Sequence, residues 1–149
     1  MNLQDIVAIV NSEKAAALCL SKGGWEGWLQ AELWYRCMMA REGVEREKPF
    51  PNNQGIRCDL VGTDAGLEVW LELKAFGVFR EGDVQRFLDG IGLDVQKLAY
   101  KPGGTKGVSI FVVPIAIQDT INRALASRKW QGYACERCNY ALIYHMVID

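Results

Sequence analysis

The spacing of apolar residues changes from helical to strand-like about a third of the way along the chain. Residues 3–20 carry apolar side chains at helical spacing and predict a helix, either continuous or broken near Asn11. The Ser-Lys-Gly-Gly sequence of residues 21–24 is a strong stop signal. A second helix is predicted to begin near Trp25 and to end by Gly43. Two helical segments therefore precede the first strand.

Three strands are predicted next, in residues 44–50, 56–62 and 68–76, and turn-forming Pro, Asn and Gly residues separate them. In the third strand, aliphatic side chains alternate with a set of mostly charged ones: Glu68, Trp70, Glu72 and Lys74. Successive side chains of a strand point to opposite faces. One face of this strand is therefore aliphatic, and the other is charged.

The second half of the chain predicts an amphipathic helix after Gly82. Gly90 and Gly92 could split it into two helices. The remaining predicted elements are a loop, a buried strand, a helix and a last strand, in residues 101–107, 108–113, 118–129 and 139–148. The whole order predicts an α/β sandwich around one mixed sheet.

Composition and charge narrow the class of protein. The chain has 149 residues, a length that fits one domain spanning residues 1–149. Its formal net charge of −1 excludes attraction of the whole molecule to nucleic acid, so any such contact must be local. The apolar segments are too short to span a membrane, and five cysteines without a regular framework are typical of reduced thiols. We therefore expect a cytoplasmic protein.

Two acids and a lysine form the candidate chemical centre. If the hairpin loop after the second strand spans residues 64–67, Asp59 lies directly opposite Glu72, with Cβ atoms about 5 Å apart; a slightly different loop makes them diagonal neighbours. Lys74 points to the same side as Glu72. Two carboxylates with a nearby ammonium suit Mg²⁺ or Mn²⁺ and the hydrolysis of a phosphodiester bond.

The sequence Asp59, followed on the next strand by Glu72-Leu73-Lys74, resembles the Asp…(Asp/Glu)-X-Lys motif of the PD-(D/E)XK nucleases. Cys58 stands where the named motif has Pro. The resemblance implies that Asp59 and Glu72 bind the metal, with the Leu73 carbonyl as a further ligand, and that Lys74 acts on the attacking water. It also implies DNA as the substrate and a homodimer as one way to cut two strands.

The resemblance extends over residues 25–114 and implies a restriction-endonuclease-like, three-layer sandwich with helices flanking a central mixed sheet. Glu32 matches an acid that the family often carries on the helix before the sheet. Gln96 and Tyr100 resemble the Gln-X-X-X-Tyr element of the RecB-like branch, and residues four apart share a helix face. These three residues are expected to assist catalysis.

Two other functions stay open. The same fold can serve as a catalytically silent module that binds nucleic acid or a protein partner. Cys135-X-X-Cys138 supplies two of the four ligands that structural zinc requires, and His145 is the only histidine that follows. A zinc module is therefore the weaker alternative, since its remaining ligands have no evident source.

Overall fold

The computed structural model describes residues 1–21, 25–77 and 84–148. The helices in these ranges are α1 (Leu3–Val10), α2 (Glu13–Cys19), α3 (Glu26–Met39), α4 (Val84–Lys97) and α5 (Gln118–Ser127). The strands are β1 (Glu45–Phe50), β2 (Asn53–Asp64), β3 (Leu67–Ala75), β4 (Lys106–Pro114), β5 (Ala134–Arg137) and β6 (Ala141–Ile148). Short 3-10 helices cover Leu98–Tyr100 and Ile115–Ile117.

The N-terminal helical segment is broken at the position that the sequence indicated. Ser12 caps α2, and its hydroxyl oxygen accepts a hydrogen bond from Ala15 N at 3.2 Å. A capping serine satisfies an amide group that a continuous helix would bond internally. Of the two alternatives, the broken helix is therefore confirmed.

The six strands form one mixed sheet in the order β1-β2-β3-β4-β6-β5. Neighbouring strands are antiparallel except β3 and β4, which run parallel and are joined through α4. Strand β5 was not predicted, because all four of its residues are exposed and no apolar alternation marks it. The predicted last strand begins two residues later than expected, at Ala141.

Helices cover both faces of the sheet. On one face, α1, α2 and α3 pack on aliphatic residues of the central strands, including Leu60, Leu71 and Val112. On the other, α4 and α5 pack on a second cluster that includes Phe111 and Tyr144. The α/β class with a central mixed sheet is therefore confirmed. None of the described helices is both long and apolar enough to cross a membrane.

Helix α4 runs without a break through both of its glycines. A Cβ built at Gly92 would lie 3.4 Å from Cζ2 of Trp130, and one at Gly90 would lie 3.8 Å from Cε of Lys74. Both distances are ordinary van der Waals contacts, so neither glycine marks a break or an unusually close approach. One continuous helix, rather than two, carries the residues of this segment.

Candidate active site

The two strands that carry the motif separate at the motif itself. Strands β2 and β3 pair from Asp64 opposite Leu67 to Leu60 opposite Leu71, across a turn in which Ala65 and Gly66 both have positive φ. This is the register predicted for a loop of residues 64–67. The next step would set Asp59 against Glu72, and there the strand pairing ends.

At this point the side chain of Asp59 accepts a hydrogen bond that a backbone carbonyl of β2 would accept in a continuous strand pairing. Its Oδ2 accepts a hydrogen bond from the backbone N–H of Leu73 at 2.8 Å. A buried amide must find a partner, and here the partner is a side chain of β2 rather than its backbone. The carboxyl group of Asp59 is consequently fixed beside β3, close to the positions from which the side chains of Glu72 and Lys74 project.

Glu72 is almost fully buried, with 1% of its surface exposed. Its Oε2 accepts a hydrogen bond from Lys97 Nζ at 2.7 Å, whereas its Oε1 is buried without a hydrogen-bond partner. Leaving a buried acceptor unsatisfied costs about 1 to 3 kcal/mol. Glu72 therefore has one oxygen that a ligand would satisfy.

Lys74 and Lys97 each bridge two carboxylates. The Nζ of Lys74 lies 3.0 Å from Glu26 Oε1 and 3.1 Å from Asp94 Oδ2. The Nζ of Lys97 lies 2.7 Å from Glu72 and 2.8 Å from Asp94 Oδ1. Together with Asp59, these side chains form one group, which we call the acid–lysine cluster. Its members come from α3, β2, β3 and α4.

The acid–lysine cluster holds more acids than bases. Four carboxylates and two ammonium groups give a formal charge of −4 + 2 = −2 when all are ionised. Burial raises the pKa of Asp59 to about 6, against the opposing effects of the Leu73 N–H and of Lys74. Burial, and next the negative charges of Asp59 and Asp94, raise the pKa of Glu72 as well. The two acids of the motif are therefore held in a site that disfavours their ionised forms.

The pKa values of the two lysines are also raised, which in their case favours the charged form. Burial lowers the pKa of Lys74, but the charges of Asp94 and Glu26 outweigh it and leave that pKa above the usual value. Lys97 behaves in the same way, and Asp94 and Glu72 raise its pKa by hydrogen bonding and charge. Both lysines are thus cationic at neutral pH, and both act as counter-ions in the cluster.

The acid that α3 contributes is Glu26, not the predicted Glu32. Glu32 lies 4.0 Å from Lys14 of α2 in an exposed ion pair. Six residues separate the two acids, which at 3.6 residues per turn rotates one about 120° from the other. In this structure, therefore, Glu26 and not Glu32 lies with Lys74.

Gln96 and Tyr100 lie outside the cluster but beside it. Both are exposed, and both line a surface groove of about 420 Å³ together with Lys97. The predicted shared face is therefore present, although Tyr100 lies in the 3-10 helix that continues α4. Their expected role in catalysis stays a prediction.

Neither Asp94 nor Lys97 was assigned a role in the site from the sequence. A signal was present in the sequence, because the buried residues of α4 are Leu88, Ile91 and Asp94, each three positions after the last. An acid in register with the apolar stripe of a helix must be buried, and a buried acid needs a partner. The spacing alone therefore marks Asp94 as a buried acid.

No metal-binding group is preformed in the part of the chain that the structure describes, in the sense of three or more His, Cys, Asp or Glu side chains that could hold one ion. Lysine ammonium groups lie between the carboxylates instead. The described cysteines are free thiols, Cys135 exposed and Cys138 buried. No family model, no curated protein and no solved structure matches this chain.

Proposed function

We propose that this protein is a metal-dependent nuclease of the PD-(D/E)XK kind, with a restriction-endonuclease-like fold. The observation that carries the proposal is the acid–lysine cluster, in which four acids face two lysines and the acids Asp59, Glu72 and Asp94 are buried, at the point where β2 and β3 separate. Ionisation of all its groups would leave a formal charge of −2. A buried excess of charge is costly unless a counter-ion compensates it. One divalent cation carries the required charge.

The donor set of the cluster fits such an ion. Mg²⁺ and Mn²⁺ prefer oxygen ligands, and carboxylates above all. Asp59 and Glu72 would hold the cation, and the buried, unpartnered Oε1 of Glu72 is the oxygen still free of a hydrogen bond. The Leu73 carbonyl remains the predicted further ligand. When bound, the metal would activate water and offset the charge that develops on the phosphate.

The protein's own groups have separate tasks in this proposal. Asp59, with its pKa of about 6, is mostly ionised at neutral pH and is aimed by its hydrogen bond to Leu73. Lys74 is held by Glu26 and Asp94, and its ammonium group orients the attacking water and attracts the phosphate. Glu72 favours its protonated form in the absence of a cation, so cation binding releases a proton from it.

The substrate that we propose is DNA, in line with the motif of Asp59, Glu72 and Lys74. With a net charge of −1, the chain must bind its substrate through local contacts. Lys97, Gln96 and Tyr100 lie together on the groove next to the cluster and would contact the phosphate backbone there. A homodimer remains a proposal for the form that would cut both strands of a duplex.

One observation favours a second function. Lys74 and Lys97 already neutralise part of the cluster, and the described residues contain no preformed metal-binding group. A catalytically silent module of the same fold, one that binds nucleic acid or a protein partner, would also retain such ion pairs. Activity separates the two functions.

The test is cleavage of single-stranded and plasmid DNA by the purified chain, with Mn²⁺ or with EDTA. We expect cleavage in Mn²⁺, none in EDTA, and none for Asp59→Asn, Glu72→Gln or Lys74→Ala. Glu68→Gln is the matched control, because Glu68 shares the strand face but accepts a hydrogen bond from Trp70 outside the cluster. Normal cleavage by Lys74→Ala, or equal loss in Glu68→Gln, would refute the assignment of this centre. Absence of cleavage in every condition would favour the silent module.

A further inference from the structure

A second surface pocket lies next to the groove of Gln96 and Tyr100, and Gln96 borders both. It has a volume of about 370 Å³ and is lined by residues of α4, of the segment after α5 and of β6. We call it the aromatic pocket, and the residues that define it here are Gly92, Gln96, Lys129, Trp130, Gln131 and Tyr133. Two aromatic rings, two amides and one cation surround one cavity.

The end of α5 fixes the aromatic wall. Lys129 has a φ of +58°, and the backbone N–H of Trp130 donates to the Leu125 carbonyl at 3.0 Å. This left-handed residue after a helix is a common helix-ending arrangement. It turns Trp130 back onto α4, where the indole ring packs beside Gly92. Trp130 is thereby placed by backbone geometry rather than by a mobile loop.

The two rings lie near each other, and a cation lies over one of them. The centroids of Trp130 and Tyr133 are 6.2 Å apart, with 39° between the ring planes. The guanidinium of Arg128 lies 5.2 Å from the Trp130 centroid. Gln96 and Gln131 add amide donors and acceptors at the exposed rim. Flat ligands with polar edges fit this combination better than aliphatic ones do.

The aromatic pocket and the acid–lysine cluster share helix α4, and strand β4 connects them on the sheet side. Helix α4 presents Asp94 and Lys97 to the cluster and Gln96 to the pocket. The hydroxyl of Tyr133 is hydrogen-bonded to Ser109 at 2.9 Å, and Ser109 is paired with Glu72 across β3 and β4. A ligand in the pocket therefore lies within one helix turn and one strand pair of the proposed catalytic residues.

We propose that the aromatic pocket receives one unpaired nucleobase, so that the substrate is single-stranded nucleic acid. This inference rests on the proposed function, because it takes the cluster as the place where the adjoining phosphate is bound. In a duplex both faces of a base are covered by its neighbours, whereas an unpaired base can stack on Trp130 or Tyr133. The amides of Gln96 and Gln131 would meet the polar edge of the base.

The charge of the protein supports the same conclusion. Proteins that grip a duplex mainly through phosphates need many cationic contacts, and this chain has a net charge of −1. Stacking of bases on aromatic side chains is tolerant of sequence and contributes binding energy beside the cationic contacts to the backbone. A pocket that adds base stacking to a small number of cationic contacts therefore suits a single strand better than a duplex.

The experiment measures binding without cleavage. Fluorescence anisotropy in EDTA would compare short oligodeoxythymidine with a duplex of the same length, for the native chain and for Trp130→Leu and Trp130→Phe. Trp28→Leu is the matched control, because Trp28 is also half-buried with a cation, Lys14, over its ring, but belongs to α3. We expect the native chain to bind the single strand more tightly than the duplex. Trp130→Leu should bind the single strand about tenfold more weakly, whereas Trp130→Phe and Trp28→Leu should keep the native affinity.

A second measurement needs no variant. A single strand that carries 5-iodouracil, irradiated on the native protein, is expected to cross-link to the peptide that contains Trp130 and Tyr133. Cross-linking confined to other peptides, or equal binding of duplex and single strand, would overturn the proposal. The two proposals fail separately. Binding that depends on Trp130, without any Mn²⁺-dependent cleavage, would support the nucleobase pocket and refute the nuclease activity. Cleavage with an unchanged KM in Trp130→Leu would support the nuclease activity and refute the pocket.

Discussion

Replacing Asp59 by Asn should stabilise the metal-free protein, and the gain should grow as the pH rises. The pKa of Asp59 is raised from 3.8 to about 6 by burial. The folded state therefore holds the proton more tightly than the unfolded chain does, and ionisation of Asp59 costs stability above pH 3.8 until the cost levels off above about pH 6. A shift of two units corresponds to about 3 kcal/mol. Asn keeps an oxygen that can accept the hydrogen bond from Leu73 N.

The size of the effect at two pH values provides the test. With the same two pKa values, ionisation of Asp59 costs about 1 kcal/mol near pH 4.5 and about 3 kcal/mol near pH 8. Urea melts in EDTA should therefore show that Asp59→Asn gains about 2 kcal/mol more at the higher pH. Glu68→Gln, which changes a carboxylate on the same strand face, should gain nothing measurable at either pH. An equal effect at both values, or a loss of stability near pH 8, would refute the claim that Asp59 is held in a site unfavourable to its charge.

Three further outcomes are expected. Lys97→Met should cost about 3 kcal/mol in urea melts, because it leaves the buried Glu72 without a cation and Asp94 with Lys74 alone; a cost below about 1 kcal/mol would contradict this. Mn²⁺ at about 100 times its Kd should raise the Tm of the native chain by about 5 to 10 °C and leave that of Asp59→Asn unchanged; equal shifts would place the metal elsewhere. Cys135→Ser with Cys138→Ser should change stability by less than about 2 kcal/mol, and metal analysis should find no zinc before or after; unfolding with loss of one equivalent of zinc would restore the zinc module.

The centre of the fold could be predicted because local signals agreed with the packing. The sequence left two registers open, and the one observed is that of a hairpin loop at residues 64–67, which agrees with the alternation along β3. A shift by one residue would have moved the charged side chains of β3 into the aliphatic core, so burial itself fixes the pairing. Asp59, Glu72 and Lys74 were accessible to sequence reasoning for this reason.

The remaining parts of the site depend on how elements are rotated against each other. Both Glu26 and Glu32 lie on α3, and only the rotation of that helix against the sheet decides which one meets Lys74. Asp94 is a different case, since its place in the apolar stripe of α4 was visible but was not used. Strand β5 carries no burial signal, because it is an exposed edge strand recognisable only through its partner β6.

We propose that Asp59 and Glu72 hold a divalent cation beside Lys74, and anomalous diffraction from crystals soaked in Mn²⁺ would locate that ion. We expect one strong peak in contact with the carboxylates of Asp59 and Glu72, and Lys97 no longer bonded to both of its acids. The proposed metal site would be refuted by a map without a peak at these carboxylates and with the ion pairs of Lys74 and Lys97 unchanged. The map must be measured at Mn²⁺ concentrations that support cleavage.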